Sequence, residues 1–276
     1  MYVEMPITRD NLNEYLNALA KEFRKRNGTK MPAEIVLIGG AAILANYGFR
    51  ELTYDVDAVI VASSAMKEAI NVISDKFNLP RGWLNADFKR TDSYSDKLLE
   101  VSIYYKTFSN ILQVRTVSAE YLIAMKLMSG RRYKNDISDI FGVLWEHQKN
   151  GTPIIKSAIE RAVIELYGNI EKLPDISVDL LKNVLENGDY ENMYKRSRED
   201  EKEAKELLIE FEEQNPKVLK TENINVILEH MKQKRKAAFE NESLMYQIED
   251  AKEESRRIKE NSIQTQKKYR NENGRD

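Results

Sequence analysis

The segment from residue 35 to residue 62 constrains the fold more than any other part of the chain. An apolar run, residues 35–38, ends at Gly39 and Gly40, and a short amphipathic stretch follows before Asp55 and Asp57 alternate with apolar residues in a second run. Short apolar runs rich in branched residues predict buried strands. Because side chains alternate along a strand, we expect Asp55 and Asp57 to lie on one face of a sheet.

The rest of the chain predicts a sheet followed by helices. Thr8 can cap a helix that runs to about Arg26, and residues 64–77 carry a second helical stripe. Residues 98–105 and 111–117 are strand-like and are separated by a hairpin, whereas the period is helical from Ser118 onward. This order predicts an α+β fold, in which a small mixed-sheet domain is followed by an all-helical C-terminal region.

Three regions are expected from the changes in pattern. Residues 1–117 form the α/β domain, residues 118–190 form a helical domain that completes a cleft, and residues 191–276 form long charged helices. The last region is expected to be a coiled-coil arm or a set of solvated helices, with a frayed tail after about Asn261.

Composition excludes several classes of protein. The net charge of −2 argues against a uniformly basic nucleic-acid binder, although a local basic patch is compatible with it. The chain has no cysteine, and its two histidines, His147 and His230, are far apart, so disulfides, thiolate metal sites and histidine-based triads are not expected. No apolar run is long enough to cross a bilayer, and the N-terminus lacks a signal-peptide pattern. We expect a soluble cytoplasmic protein.

The first candidate site combines the acid pair with the glycine pair. Two carboxylates at the end of an apolar strand are costly unless a cation lies between them, and Mg²⁺ is typically held by one or two carboxylates together with phosphate oxygens. Gly39 and Gly40, at a strand-to-helix turn, would let backbone amides approach a phosphate. The alternative is that Asp55 and Asp57 are exposed edge residues and that the glycines form an ordinary turn.

A second group of charged residues follows in the helical region. Lys126 sits late in a helix, from which its ammonium could reach a triphosphate or simply extend to solvent. Arg131 and Arg132 follow in a loop, where their guanidinium groups could hold phosphate or RNA. Asp136 and Asp139 lie on one face of the first turn of the next helix, where they could act in catalysis or only as cap and dipole partners.

These residues resemble a known group of enzymes. The signature G-[GS]…D-x-[DE] of the DNA polymerase β-like nucleotidyltransferase superfamily is matched by Gly39, Gly40, Arg50, Thr53, Asp55 and Asp57. The run YLIAMKLMSGRRYKNDISDI, residues 121–140, is similar to the K-L…R…K-D-x-x-D element of abortive-infection type nucleotidyltransferase toxins and of related uncharacterised bacterial families. The resemblance covers roughly residues 30 to 145.

The resemblance implies a metal-dependent transfer of a nucleoside monophosphate from a nucleoside triphosphate to an acceptor. It implies an RNA acceptor, with tRNA as the first choice, and the role of a toxin whose partner is an antitoxin protein. An aspartate of the second element is catalytic in the toxin-like families, and this role is carried first to Asp136 and then to Asp139. The third strand carboxylate of many polymerase β-like enzymes has one counterpart here, Glu100, which is either that ligand or an outward-facing residue.

The expected site therefore has eleven residues. Mg²⁺ is assigned to Asp55 and Asp57, and the catalytic set is Asp55, Asp57, Lys126, Asp136 and Asp139. The substrate-binding set is Gly39, Gly40, Arg50, Thr53, Arg131 and Arg132. Two alternatives stay open at this point: transfer to a small molecule or a protein, and a catalytically inactive nucleotidyltransferase fold that serves as a binding module. The choice of nucleotide and the oligomeric state are not determined by the sequence.

Overall fold

The computed structural model describes residues 6–29, 31–183, 188–220, 223–239 and 253. Contacts divide the chain into two units, Met1–Lys202 and Glu203–Asp276. The first unit contains every residue of the expected site. Strands of the first unit precede its long helical part, so the α+β class and the helical C-terminal region are confirmed.

Strands and helices alternate in the first part of the chain. In chain order the elements are β1 (Ile7–Thr8), α1 (Arg9–Asn27), β2 (Ala33–Leu37), α2 (Gly39–Asn46), β3 (Leu52–Thr53), β4 (Val56–Val61), α3 (Ala65–Phe77), β5 (Leu84–Asn85), β6 (Ser102–Phe108) and β7 (Leu112–Val117). The helices that follow are α4 (Ala119–Ser129), α5 (Asp136–Lys149), α6 (Lys156–Tyr167), α7 (Asp175–Asn183) and α8 (Tyr190–Gln214).

The central sheet is mixed and has five strands in the order β5-β4-β2-β7-β6. β2 pairs with β4 in the antiparallel sense and with β7 in the parallel sense, whereas β6 and β7 form an antiparallel hairpin. β1 and β3 form a separate two-stranded sheet. The order places β2 at the centre, and its residues from Ile35 to Leu37 are fully buried.

The first helix shows how the sequence sets its own boundaries. Thr8 caps α1, because its hydroxyl accepts from the backbone N–H of Asn11 while the Asn11 side chain accepts from the N–H of Thr8. Gly28 follows the last turn with a positive φ of 74°. The buried stripe of α1 consists of Leu12, Tyr15, Leu16, Leu19, Ala20 and Phe23.

The hairpin differs from the sequence-based expectation. The strand expected to begin at residue 98 begins only at Ser102, because residues 96–98 form a 3₁₀ turn. The turn consists of Ser109, Asn110 and Ile111, the first two with positive φ, so β6 continues through Phe108. Glu100 therefore lies in an exposed turn ahead of β6 and not on a strand.

The second unit is mostly helical where it is described, and residues 215–220 form the non-helical connection after α8. The C-terminal part of α8 and residues 224–239 are helical, and the buried apolar residues include Ala204, Leu207, Leu208 and Leu228. An ion pair at 3.3 Å joins Arg235 to Glu203. The frayed tail expected after Asn261 lies outside the described residues. Among the described helices, none has the length and apolar character that crossing a membrane requires.

Candidate active site

Asp55 and Asp57 lie at the beginning of β4. Asp55 directly precedes the strand and is exposed, whereas Asp57 is its second residue and is half-buried. The Thr53 hydroxyl donates to the backbone oxygen of Asp55 at 3.1 Å, which fixes the approach to the strand. Burial raises the pKa of Asp57, and the nearby negative charge of Asp55 raises this pKa further. A cation close to both carboxylates would relieve this repulsion.

The glycine pair forms the first turn of α2, beside the acid pair. The backbone N–H of Ile38 donates to the backbone oxygen of Asp57 at 3.1 Å, and Ile38 caps the helix without a side-chain hydrogen bond. Gly39 has a φ of 54°, and a Cβ at this position would lie 3.9 Å from Asp57 Oδ2. The sequence placed these glycines in the turn before the helix, whereas they are its first two residues. Their amides belong to the helix end that favours negative charge.

Gly40 makes room for the Arg50 side chain. A Cβ added at Gly40 would lie 2.8 Å from Arg50 Nη2 and 3.1 Å from the Thr53 hydroxyl. The same guanidinium donates to Asp139 Oδ2 at 2.7 Å and to the backbone oxygen of Leu52 at 3.2 Å, so it is held on two sides. Arg50 therefore connects the glycine turn to α5.

This close approach predicts a damaging substitution. Gly40→Ala should displace the Arg50 guanidinium, because the new methyl group would overlap it while Asp139 holds it in place. We expect a loss of about 1–3 kcal/mol in the free energy of unfolding, measured by chemical denaturation. Gly48→Ala is the matched control, since the nearest atom to a Cβ at Gly48 is 3.9 Å away. Equal stability of the two variants would contradict the assigned packing.

Lys126 lies in a buried ion cluster. Its Nζ is 2.8 Å from Asp136 Oδ1 and 2.8 Å from Asp139 Oδ2. Burial lowers the pKa of Lys126, but the charges of Asp139 and Asp136 outweigh this effect, and the pKa is raised overall. The cluster explains how an ammonium group is kept charged inside the protein.

Asp136 is the most deeply buried acid of the site, with 0% of its surface exposed. Besides Lys126 it accepts from Arg131, whose Nε is 2.8 Å from Asp136 Oδ2. Burial alone would raise the pKa of Asp136, but Lys126 and Arg131 hold it well below its usual range. Asp136 is thus a permanently charged group that fixes two cations.

The loop between α4 and α5 brings positive charge to the acid pair. Arg131, Lys134 and Lys126 all lower the pKa of Asp57 through their charges. Lys134 is exposed as a residue, but its ammonium group is partly desolvated. This desolvation and the charge of Arg131 lower the pKa of Lys134, whereas the charges of Asp136, Asp55 and Asp57 raise it. Arg132 is also exposed on this loop. Lys134 was not among the residues predicted from the sequence, although its place between Arg132 and Asp136 in the 121–140 run was the available signal.

Glu201 is a further residue that the sequence argument missed. It lies on α8, is 5% exposed, and accepts through Oε1 from the backbone N–H groups of Ile137 and Ser138 at the start of α5. Burial raises the pKa of Glu201 to about 7, and the charge of Asp139 contributes in the same direction. No local pattern marks it, because Glu201 stands in a charged stretch typical of a solvated helix.

The raised pKa of Glu201 predicts a pH-dependent stability. A carboxyl group that binds protons more tightly in the folded than in the unfolded state loses its stabilising effect as pH rises. The window lies between the ordinary value of 4.5 and about 7. Glu201→Gln should remove this dependence and should stabilise the protein at pH 8 by about 2 kcal/mol relative to wild type, while its amide oxygen keeps the helix cap. Denaturation curves at pH 5 and pH 8 measure the effect, and an unchanged slope in the variant would contradict it.

Among the described residues, Asp55 and Asp57 suit a metal ion that is also bound by a nucleotide. Among the residues that the structure describes, no group of three or more histidine, cysteine, aspartate or glutamate side chains could hold a metal ion. Asp55 and Asp57 form a pair, in which the charge of Asp55 raises the cost of charging Asp57. A pair of carboxylates completed by phosphate oxygens and water is a common environment of Mg²⁺. The donor set therefore suits Mg²⁺ that arrives with a triphosphate.

The expected site residues lie in one connected region of the first unit, with Arg132 on the exposed loop beside it. Thr53 hydrogen-bonds to Asp55 and lies close to Gly40, which in turn lies against Arg50. Arg50 pairs with Asp139, and ion pairs continue from there through Lys126 and Asp136 to Arg131. The charge of Arg131 lowers the pKa of Asp57, which lies beside Gly39. The catalytic and binding roles assigned to these residues stay predictions.

Comparison with known proteins gives one match. Residues 14–145 match the model of a family described as "Nucleotidyltransferase of unknown function (DUF6036)". Searches of curated proteins and of solved structures gave no match. The matched range covers just under half of the chain and contains all eleven expected site residues, whereas Glu201 lies beyond it. Residues 14–145 are therefore similar to a nucleotidyltransferase family whose function is unknown.

Proposed function

We propose that the protein is a Mg²⁺-dependent nucleotidyltransferase that transfers a nucleoside monophosphate from a nucleoside triphosphate to an RNA acceptor. The proposal rests on three features that lie close together. They are the Asp55–Asp57 pair, the start of α2 at Gly39, where no side chain caps the helix, and the cationic loop with Arg131 and Lys134. Each feature suits a different part of a metal–triphosphate complex.

In the proposed reaction an acceptor hydroxyl oxygen attacks the α-phosphorus. The bond from the α-phosphorus to the bridging oxygen breaks, pyrophosphate leaves, and the hydroxyl proton passes to water. Asp55 and Asp57 would hold Mg²⁺, which would neutralise charge on the phosphate oxygens. The amides of Gly39 and Gly40 bind phosphate oxygens at the start of α2. Lys134 and Arg131 stabilise the charge that grows on the leaving pyrophosphate.

The buried ion cluster has a positioning role in this proposal. Lys126 is occupied by Asp136 and Asp139, so it acts on the substrate through Arg50 and Arg131. Arg50 sets the position of the glycine turn, and Arg131 is held in the loop that contains Lys134. The charged state of Asp136 suits this role, because a carboxylate that keeps its charge anchors two cations.

The acceptor class and the biological role rest on the resemblance of residues 121–140 to abortive-infection type toxins. On that basis we propose tRNA or another RNA as the acceptor, a toxin activity, and an antitoxin protein as partner. Nucleoside triphosphates and RNA are cytoplasmic, which is the compartment that the proposal requires. Expression of the chain alone should arrest bacterial growth, and Asp57→Asn should relieve the arrest.

The experiment that tests the reaction is nucleotide incorporation. Each of the four α-labelled nucleoside triphosphates is incubated with the full chain, Mg²⁺ and total RNA, protein or a small-molecule pool. We expect label in RNA, and none after chelation of Mg²⁺. Label in protein or in the small-molecule pool would show that the acceptor belongs to that class and not to RNA. No label in any pool would contradict the proposed transfer.

A second candidate function is a catalytically inactive nucleotidyltransferase fold that serves as a binding module. It is favoured by the absence of a three-carboxylate cluster within the described ranges. This candidate predicts neither Mg²⁺-dependent binding of a triphosphate nor transfer of label to any acceptor. The incorporation assay and a binding assay on the same preparation separate the two candidates.

A further inference from the structure

One face of the central sheet connects the acid pair to the far edge strand. Register aligns Val59 of β4 with Val36 of β2, Val36 with Arg115 of β7, and Arg115 with Tyr104 of β6. Paired residues point to the same face, and residues two apart on a strand do so as well. Asp57 is two residues from Val59, so Asp57, Arg115 and Tyr104 share one face of the sheet.

Tyr104 is an exposed aromatic residue on that face. Its exposed fraction is 62%, and its hydroxyl makes no hydrogen bond with the described part of the chain. The next residue, Tyr105, is only half-buried but donates its hydroxyl to Asn13 of α1. The two adjacent tyrosines therefore differ: Tyr105 is tied to the helix, whereas the ring of Tyr104 is available to a ligand.

Arg115 lies beside Tyr104 and is held in place. Its Nε donates to the Ser102 hydroxyl at 2.7 Å, its Nη2 donates to the backbone oxygen of Ser102, and Glu34 Oε1 lies 3.4 Å from Nε. The guanidinium is thus fixed next to an exposed phenol ring. Aromatic rings and guanidinium groups are the side chains on which unpaired bases stack.

The spacing suits a single-stranded acceptor. Asp57 and Tyr104 are separated by three strand spacings and about two residues along the strand, which corresponds to about 16 Å across the sheet. A strand of a few nucleotides covers this distance, so one of its bases can lie at Tyr104 while its reacting hydroxyl is at Asp55 and Asp57. Arg115 lies along the path with its charge balanced in part by Glu34, so its contribution is the flat guanidinium surface on which a base can stack.

We propose that Tyr104 and Arg115 form a stacking site for an unpaired base of the RNA acceptor, a few nucleotides from the reacting hydroxyl. This inference rests on the proposed function for the identity of the acceptor, but RNA binding can be measured without transfer. Loss of one base–aromatic stack is expected to weaken RNA binding by roughly 5- to 100-fold.

The test uses the full chain and a fluorescently labelled single-stranded RNA 12-mer of mixed sequence, in the presence of a chelator so that no turnover occurs. Tyr104→Ala should raise the Kd for RNA within that range, and Tyr104→Phe should stay within twofold of wild type because it keeps the ring. Ile103→Ala is the matched control, since Ile103 is also exposed on β6 but points to the opposite face. In the transfer assay Tyr104→Ala should raise KM for RNA and leave kcat and the affinity for Mg²⁺–triphosphate unchanged.

Three outcomes would overturn the inference. The first is an unchanged RNA Kd in Tyr104→Ala, and the second is an equal loss in Tyr104→Ala and Ile103→Ala. The third is a change in oligomeric state of Tyr104→Ala without a change in RNA binding, which would make β6 a protein interface. If RNA binds through Tyr104 but no label is transferred, the stacking site stands and the proposed transfer fails. If transfer to RNA proceeds and Tyr104→Ala behaves as wild type, the proposed transfer stands and the stacking site fails.

Discussion

Asp57→Asn should reduce nucleotide transfer by about 100- to 1,000-fold, because it removes one of the two carboxylates that face the proposed metal–triphosphate complex. The fold should be kept. Burial and Asp55 raise the pKa of Asp57, so its negative charge costs free energy in the metal-free protein. A neutral amide of nearly the same shape removes that cost. Single-turnover incorporation of label into RNA measures the loss of activity.

Stability provides the control for this variant. In the absence of divalent metal, the melting temperature of Asp57→Asn should equal or exceed that of wild type, because the variant lacks the carboxylate whose charge burial and Asp55 disfavour. Addition of Mg²⁺ with a triphosphate should raise the melting temperature of wild type and leave that of the variant unchanged. A fully active Asp57→Asn protein would remove Asp57 from the site, and a strongly destabilised one would contradict the electrostatic argument.

Lys126→Met should be the most destabilising of the substitutions considered, with a loss of about 3–5 kcal/mol in the free energy of unfolding. Methionine has a similar length and fills the space, but it leaves Asp136 and Asp139 without the cation that they share. Among the described residues, the two buried carboxylates then keep Arg131 and Arg50 as charged partners. Chemical denaturation followed by circular dichroism measures the change.

Two further variants isolate the ion cluster as the cause. Lys195→Met removes an exposed lysine that pairs with Glu191 on the same helix, and it should cost less than about 1 kcal/mol. The double variant Lys126→Met with Asp139→Asn should lose less stability than the two single variants combined, because the unpaired charge is removed together with its partner. Additive losses would show that the contacts between Lys126 and Asp139 contribute little.

The sequence predicted the local features of the site well because they depend on short-range rules. Alternation predicted Asp55 and Asp57 on one strand; Asp57 lies on β4, whereas Asp55 is exposed just ahead of it and close enough to raise the pKa of Asp57. The approach of Gly39 to Asp57 follows from a strand that leads into a helix. The Thr8 cap was equally local, since it depends on the conformation of a few neighbouring residues.

Interactions between distant segments could not be predicted in the same way. Lys126 was expected to reach a triphosphate or to extend to solvent, whereas the packing of α4 against α5 places its ammonium group between Asp136 and Asp139. Glu201 is more than 60 positions from the helix start that it caps, and nothing in its charged neighbourhood distinguishes it from a solvated glutamate. The sequence also did not indicate that β6 begins only at Ser102, because the apolar residues before it pack in turns and not in a strand.

The most direct test of the central claim is calorimetric titration of the full chain with a triphosphate analogue that cannot be cleaved between its α and β phosphates. We expect the analogue to bind with a Kd on the order of micromolar in the presence of Mg²⁺. Binding should be lost after chelation and in the double variant Asp55→Asn with Asp57→Asn, whose circular dichroism spectrum should match that of wild type. Binding of equal strength in that folded double variant, or in wild type without divalent metal, would contradict the assignment of Asp55 and Asp57 as the metal–nucleotide site.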